Sequence, residues 1–132
     1  MLNMHNILVK LKRNPRILYA SLILYWVILI ILTTVPTTSL PKVGISDKLQ
    51  HFFAYFVLAL LLNSSFLVQR KYQFSFNVKS LLSLLIVVLY AIFDEVHQYF
   101  IPGRFCEFSD FIADVLGGIA GVLLVYFLFR RN

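Results

Sequence analysis

The chain has 132 residues, of which 60% are apolar, and its mean hydropathy is +0.82. A soluble globule of this composition would lack the polar surface it needs, so the composition excludes an ordinary soluble domain and favours a membrane protein. The net charge of +6 does not indicate a nucleic-acid partner, because the Lys and Arg residues flank apolar runs as membrane anchors do.

Four continuous apolar runs divide the chain. A bilayer core of about 30 Å requires a helix of about 20 residues. Runs of about that length cover residues 17–35, 49–68, 81–101 and 111–129. They are continuous rather than alternating, so strands are not expected. We therefore predict an all-α fold, an integral membrane four-helix bundle over residues 17–129, preceded by a basic cytoplasmic leader over residues 1–16.

The first run is predicted to be an uncleaved signal-anchor. A cleaved signal peptide is the competing interpretation, but the basic leader is long, the apolar stretch has helix length, and no A-x-A-type site follows it. This segment contains no Lys, Arg, His, Asp or Glu after Arg16, so we expect it to be a wall of the bundle. The single Cys106 cannot form an internal disulfide and says nothing about the compartment.

The distribution of basic residues predicts the orientation in the membrane. Nine Lys and Arg residues lie in the leader, between the second and third runs and at the C-terminus, whereas Lys42, Lys48 and Arg104 lie in the other two connections. The positive-inside rule therefore places both termini in the cytoplasm, and it turns the first and third connections outward. All six Asp and Glu residues lie in or near this outward half.

The second run begins with two polar side chains on one helical face. At about 100° per residue, Asp47 and His51 share this face with Tyr55. Asp47 followed by Gln50 also matches a capping box, so Asp47 has a purely structural interpretation as a helix cap. His51 lies one turn deeper, where an imidazole entering hydrocarbon needs a partner or an aqueous pocket.

The third run ends with adjacent carboxyl groups inside a lipid span. Asp94, Glu95 and Gln98 occupy an arc of about 100°, with His97 on its border. An ionised Asp near a helix centre costs roughly 2.5–3.5 kcal/mol on insertion scales, so these groups need compensation. They are either a polar clamp between helices or a working site that faces the bundle interior, and we favour the working site.

A turn and a glycine stripe follow. Arg104, after Pro102-Gly103, is predicted either to bind a carboxylate or phosphate or to pair with Glu107 or a lipid headgroup. In the fourth run, Asp110 and Asp114 continue a stripe of Gly117, Gly118 and Gly121, which permits close approach of another helix, in the bundle or in an oligomer. Together these residues predict one outward-facing polar pocket.

The ordered motifs resemble the signature of VanZ-like membrane proteins. They are Asp47-Lys48-x-x-His51-Phe52-x-x-Tyr55, then Asp94-Glu95-x-x-Gln98-x-x-x-Pro102-Gly103-Arg104, then Asp110-x-x-x-Asp114-x-x-Gly117-x-x-x-Gly121. The resemblance covers roughly residues 44–125. The family commonly has Asn where this chain has Asp114, which adds an acid to the pocket. Founding members of the family are associated with teicoplanin-type glycopeptide resistance, so the resemblance makes such a role plausible for this chain.

Three functions fit these residues. The first is an enzyme acting on an envelope lipid or wall precursor, with Asp94 or Glu95 as general base and His51 as its acid or base partner; Asp47, Gln98, Arg104, Asp110 and Asp114 would bind the substrate. The second is non-catalytic binding of a lipid, a drug tail or a partner. The third is proton or ion coupling, against which the cytoplasmic half offers no matching polar groups.

A cofactor is not predicted from the sequence. The His, Asp and Glu residues are suitable ligands for a divalent ion, with the oxygen ligands favouring Mg²⁺ or Mn²⁺ and His51 admitting Zn²⁺. No H-E-x-x-H or comparable motif supports a metal site. The predicted partners are membrane lipids and an anionic envelope substrate, with no nucleic acid.

Overall fold

The computed structural model describes residues 13–36 and 44–129, and four long helices make up most of these ranges. They are α1 (Pro15–Thr34), α2 (Asp47–Val68), α3 (Phe76–Tyr99) and α4 (Phe108–Phe129). Each is long and apolar enough to cross a membrane, and the described residues contain no strand, so the all-helical prediction with four spans is confirmed. Most of the predicted leader, together with Lys42, Arg130 and Arg131, lies outside the described residues.

Local capping signals set the helix ends. Pro15 stands in the first turn of α1, where its missing N–H loses no hydrogen bond. The hydroxyl of Ser46 accepts the backbone N–H of Leu49 and caps α2. The interpretation of Asp47 as the cap is therefore wrong, because Asp47 is the first residue inside the helix. α3 begins at Phe76 rather than at residue 81, because Ser75 provides a cap of the same kind.

The glycine stripe of α4 packs against α2 of the same chain. A Cβ atom on Gly117 would lie 2.1 Å from the carbonyl oxygen of Phe52, and one on Gly121 would lie 2.5 Å from that of Phe56. Only glycine permits this approach of the two backbones. The sequence also offers these glycines as an oligomer contact, but α2 already covers this face, so a second chain would have to use another surface.

α1 packs on α2 and α3 and presents most of its apolar side chains outward. The hydroxyl of Tyr25 donates a hydrogen bond to the carbonyl oxygen of Ala54 in α2 at 2.8 Å. Trp26 meets the ring of Tyr90 in α3 edge to face at 5.3 Å. Only Leu18 and Leu29 of α1 are buried. This is the pattern of a wall helix whose outer face contacts lipid.

Candidate functional site

All six acids of the chain lie at one end of the bundle, which we name the acidic end. The antiparallel order of the helices brings the last turns of α1 and α3 beside the first turns of α2 and α4. Four of the acids are buried, with exposed fractions of 0 to 4%. The acids at this end are Asp47, Asp94, Glu95, Glu107, Asp110 and Asp114.

His51 and Asp114 form the central contact of the acidic end. The Nδ1 atom of His51 lies 2.9 Å from Oδ1 of Asp114, and the two side chains are 11% and 0% exposed. The close packing of α2 on α4 at Gly117 brings these two helix faces within reach of each other. The two residues come from separate motifs of the sequence, and the fold joins them in one pair, in which Asp114 is buried and His51 is partly buried.

Asp94 accepts hydrogen bonds from neutral side chains. The hydroxyl of Tyr55 in α2 donates to Oδ2 of Asp94 at 3.2 Å, and the side-chain amide of Gln98 donates to the same oxygen at 3.4 Å. Tyr55 is itself stacked on Tyr90, with ring centroids 5.8 Å apart. Tyr55 lies on the expected face of α2, but its role as a donor to Asp94 becomes visible only in the structure.

Only one of the two carboxylate oxygens of Glu95 has a hydrogen-bond partner. Its Oε2 atom accepts the backbone N–H of Glu107 at 3.0 Å, but its Oε1 atom is buried without a hydrogen-bond partner. Asp114 is in the same state, because its Oδ2 atom is also buried and unpartnered. Ligand atoms of His51, Glu95 and Asp114 all lie within 4.8 Å of one another. Phe108 is the first residue of α4. At a rise of about 1.5 Å per residue, Asp114 therefore lies about 9 Å from this end of the helix, measured along its axis.

Lys48 forms an ion-pair network at the rim of the acidic end. Its Nζ atom lies 2.9 Å from Oδ1 of the buried Asp110 and 3.0 Å from Oε2 of the exposed Glu107. The hydrogen bond from Lys48 holds the pKa of Glu107 below its ordinary value. Asp47 is exposed at the same rim, and a carboxylate oxygen of Asp47 lies within 4.8 Å of ligand atoms of His51 and Asp110.

Arg104 has a structural partner that neither sequence interpretation named. Its Nε atom donates to the carbonyl oxygen of Val35 at 3.1 Å, and its Nη2 atom donates to that of Leu32. These carbonyls belong to the C-terminal end of α1, which has no further helical turn to satisfy them. Glu107, the predicted pairing partner of Arg104, bonds Lys48 instead. Arg104 therefore fastens the α3–α4 connection to α1.

A second buried polar cluster lies toward the opposite end and was missed from the sequence. Asn63 donates to the carbonyl oxygen of Val122, and its own amide oxygen accepts the hydroxyls of Ser80 and Ser83, all at 3.4 Å. These groups are uncharged, so they do not match the titratable groups of the acidic end, but the sequence interpretation named no buried polar group in this half of the chain. The available signal was Asn63-Ser64-Ser65 inside an apolar run, facing two serines three residues apart.

Comparison with known proteins agrees with the motifs. The family model described as VanZ/LLP1 matches residues 15–130, which include all four helices and every residue of the acidic end. No curated protein and no solved structure matches the chain. Since the match extends over most of the sequence, this four-helix membrane protein belongs to the VanZ/LLP1 family.

Proposed function

We propose that this VanZ-like protein acts on, or binds, a cell-envelope lipid or lipid-linked wall precursor at the outer face of the bacterial plasma membrane. One observation carries the proposal: three helices bring His51 together with the buried Asp94, Glu95 and Asp114, and two carboxylate oxygens have no protein donor. A purely structural clamp gains stability only when its polar groups are satisfied. An incompletely satisfied cluster is better explained by a ligand.

The proposed orientation rests on the charges at the two ends. Among the described residues, Arg13, Arg16, Arg70, Lys71 and Lys79 all lie toward the end opposite the acidic end. Basic residues next to a span are retained on the cytoplasmic side. Both termini would then be cytoplasmic, and the acidic end would meet the outer leaflet, where envelope lipids carry their headgroups.

The hydrogen bonds of the cluster suggest a division of roles. Glu95 is the candidate general base, because one of its oxygens is free of protein donors. His51, paired with Asp114, is the candidate acid or base partner. Asp94 is fixed by Tyr55 and Gln98, which suits a positioning role better than proton transfer. Gln98 acts in this scheme through Asp94.

The remaining predicted residues lie around the site. Asp47 and Asp110 are at the rim, where a headgroup would enter. Arg104 uses two of its five N–H donors on α1, so an anionic headgroup would bind through the others.

Proton or ion coupling is the weaker alternative, for a specific reason. The space between the acidic end and the Asn63 cluster is filled by apolar side chains that are completely buried, namely Leu58, Ala59, Val87 and Ala91. Asn63, Ser80 and Ser83 do not titrate, so the described residues provide no relay between the two polar clusters. Non-catalytic binding of a lipid uses the same site as catalysis and differs from it only in turnover.

A ligand-dependent thermal melt tests the proposal. Wild type, Glu95→Gln and Arg104→Ala would be purified in detergent and melted with and without a panel of envelope lipids. We expect one lipid class to raise the Tm of wild type and to leave Glu95→Gln unchanged. The proposal fails if no lipid shifts wild type, or if Glu95→Gln responds as wild type does.

A resistance role is suggested by the resemblance to VanZ-like proteins, and it needs a test of its own. We propose that any protection against teicoplanin-type glycopeptides requires the acidic end. Cells expressing wild type should then tolerate more teicoplanin than cells expressing Glu95→Gln at equal membrane abundance. Equal sensitivity of the two strains would remove resistance from the proposed function.

A further inference from the structure

We propose that His51, Glu95 and Asp114 form a binding site for a divalent transition-metal ion of the Zn²⁺ or Mn²⁺ class. The ion would lie in the same cluster of side chains as the proposed lipid site. The role that we give to the ion therefore rests on the proposed function. The three residues belong to α2, α3 and α4, respectively, so the ion would join three helices at the acidic end.

The spacing of the ligand atoms suits a bound ion. One atom from each of the three side chains lies within 4.8 Å of the other two. Ligands about 2.0–2.2 Å from a metal ion are at most about 4.4 Å from each other. Small side-chain movements therefore suffice to bring the three ligand atoms onto one ion.

Two unpartnered oxygens give an independent reason to place a ligand here. Glu95 is 4% exposed and Asp114 is 0% exposed, and each has one buried oxygen without a hydrogen-bond partner. A buried carboxylate oxygen without a donor is costly, since it has lost its hydration and gained no replacement. A cation between the two side chains would satisfy both oxygens at once.

The charge balance of the cluster supports the same conclusion. Asp94, Glu95 and Asp114 are buried together, and the only cationic partner among their ion pairs in the described chain is the imidazole of His51. Lys48 is engaged by Glu107 and Asp110, and Arg104 by carbonyl oxygens of α1. Buried carboxylates require a compensating charge or protonation. A divalent ion would supply two positive charges where the protein supplies at most one.

A neighbouring group of potential ligands is less suitable. Asp47, His51 and Asp110 also place ligand atoms within 4.8 Å of one another. However, Asp47 is exposed, and Asp110 already accepts a hydrogen bond from Lys48. Neither residue has a buried unpartnered oxygen, so we assign the ion to the inner group.

The ligand types narrow the identity of the ion. One imidazole with two carboxylates suits Zn²⁺ or Mn²⁺, whereas Mg²⁺ prefers oxygen ligands alone and retains several waters. Coordination numbers of four to six leave at least one position beyond the three protein ligands. A phosphate or carboxylate oxygen of a headgroup can take that position. The ion would thus explain how a cluster of acids accepts an anionic substrate.

Metal binding can be measured directly on the full chain. Detergent-purified protein would be stripped with EDTA, and binding of Zn²⁺ and Mn²⁺ would be followed by elemental analysis after gel filtration and, for Mn²⁺, by electron paramagnetic resonance. We expect one ion per wild-type chain. Glu95→Gln, Asp114→Asn and His51→Gln should each weaken binding at least about tenfold, because each removes a ligand. Glu107→Gln is the matched control, since it keeps the backbone N–H that bonds Glu95.

The contrary results are equally specific. If wild type binds neither ion, or if all three ligand variants bind as wild type does, the site is not a metal site. Gel filtration and circular dichroism identify any variant that fails to fold, and the remaining two variants decide the question. Lipid-dependent stabilisation of metal-free protein would overturn the ion's role and leave the proposed function intact. Stoichiometric metal binding without any lipid-dependent change in Tm would support the metal site and contradict the proposed function.

Discussion

His51 and Asp114 face each other across the α2–α4 interface, with Nδ1 and Oδ1 2.9 Å apart. The residues next to this pair bring the two helices together, because Gly117 lies one turn beyond Asp114 and rests against the carbonyl group of Phe52, which follows His51. Helix packing and site geometry are therefore coupled. A change that separates α2 from α4 also separates the imidazole from the carboxylate.

A double-mutant cycle measures the His51–Asp114 pair. In metal-free protein, His51→Ala should destabilise the fold by roughly 3–5 kcal/mol, because it leaves a buried carboxylate without its partner. Adding Asp114→Asn to the same chain should recover part of this loss, since the unpaired charge is gone. The measurement is chemical or thermal unfolding in detergent. Additive effects of the two substitutions would show that the pair is not coupled.

Gly117→Ala is expected to disrupt the fold most among the glycine variants. Its Cβ would lie 2.1 Å from a backbone oxygen of Phe52, which cannot move without displacing α2. Overpacking typically costs about 1–3 kcal/mol, and a backbone obstacle should place this variant at the upper end or beyond.

Substitutions at Gly118 and Gly44 provide the comparison for Gly117→Ala. Gly118→Ala should be milder, because its Cβ would meet the Val87 side chain, and Gly44→Ala should be neutral, because nothing lies within 4 Å. The Tm values of the three variants test this predicted order of stability. A Gly117→Ala protein as stable as Gly44→Ala would contradict the close α2–α4 packing.

Arg104 should contribute to stability through α1. Arg104→Ala would leave the carbonyl oxygens of Leu32 and Val35 without their donor, so we expect a lower Tm without any lipid present. Arg104→Lys should have a Tm between those of Arg104→Ala and wild type. The guanidinium donates to two carbonyl oxygens from two nitrogens held in fixed directions, and a single ammonium group cannot reproduce this geometry. If Arg104→Ala melts as wild type does and loses only lipid binding, Arg104 is a ligand contact and not a fastening of α1.

Cys106 offers a direct test of orientation. It is the single cysteine of the chain and is exposed in the connection between α3 and α4. If both termini are cytoplasmic, a membrane-impermeant maleimide should label Cys106 in intact cells and leave Cys106→Ser unlabelled. The matched control adds Lys71→Cys to Cys106→Ser and should react only after lysis. The reverse pattern would invert the topology.

The membrane helices were predictable because their signal is local. Continuous apolar runs identify spans whatever surrounds them, and the structure moves their ends by only a few residues. The candidate site residues were recognisable for a related reason: charged side chains such as Asp94 and Glu95 are costly inside a lipid span, so their presence is informative by itself. Their burial follows from the same cost.

The pairings were not predictable, because they depend on the rotation and depth of each helix. The sequence places His51 and Asp114 at similar depth but cannot show that these two residues meet. Arg104 bonds backbone carbonyls, which every residue possesses and which leave no trace in the sequence. Asn63 was missed because an uncharged amide in an apolar run costs much less than a carboxylate and attracts less attention.

The stability of Glu95→Gln in the absence of metal and lipid tests the central claim most directly, namely that the buried acids are kept for function and not for stability. The substitution preserves shape and removes one buried charge. We predict that Glu95→Gln melts at or above the wild-type temperature, because functional clusters are retained at a cost in stability. A Tm well below that of wild type would instead identify the acidic end as a structural clamp and contradict the account.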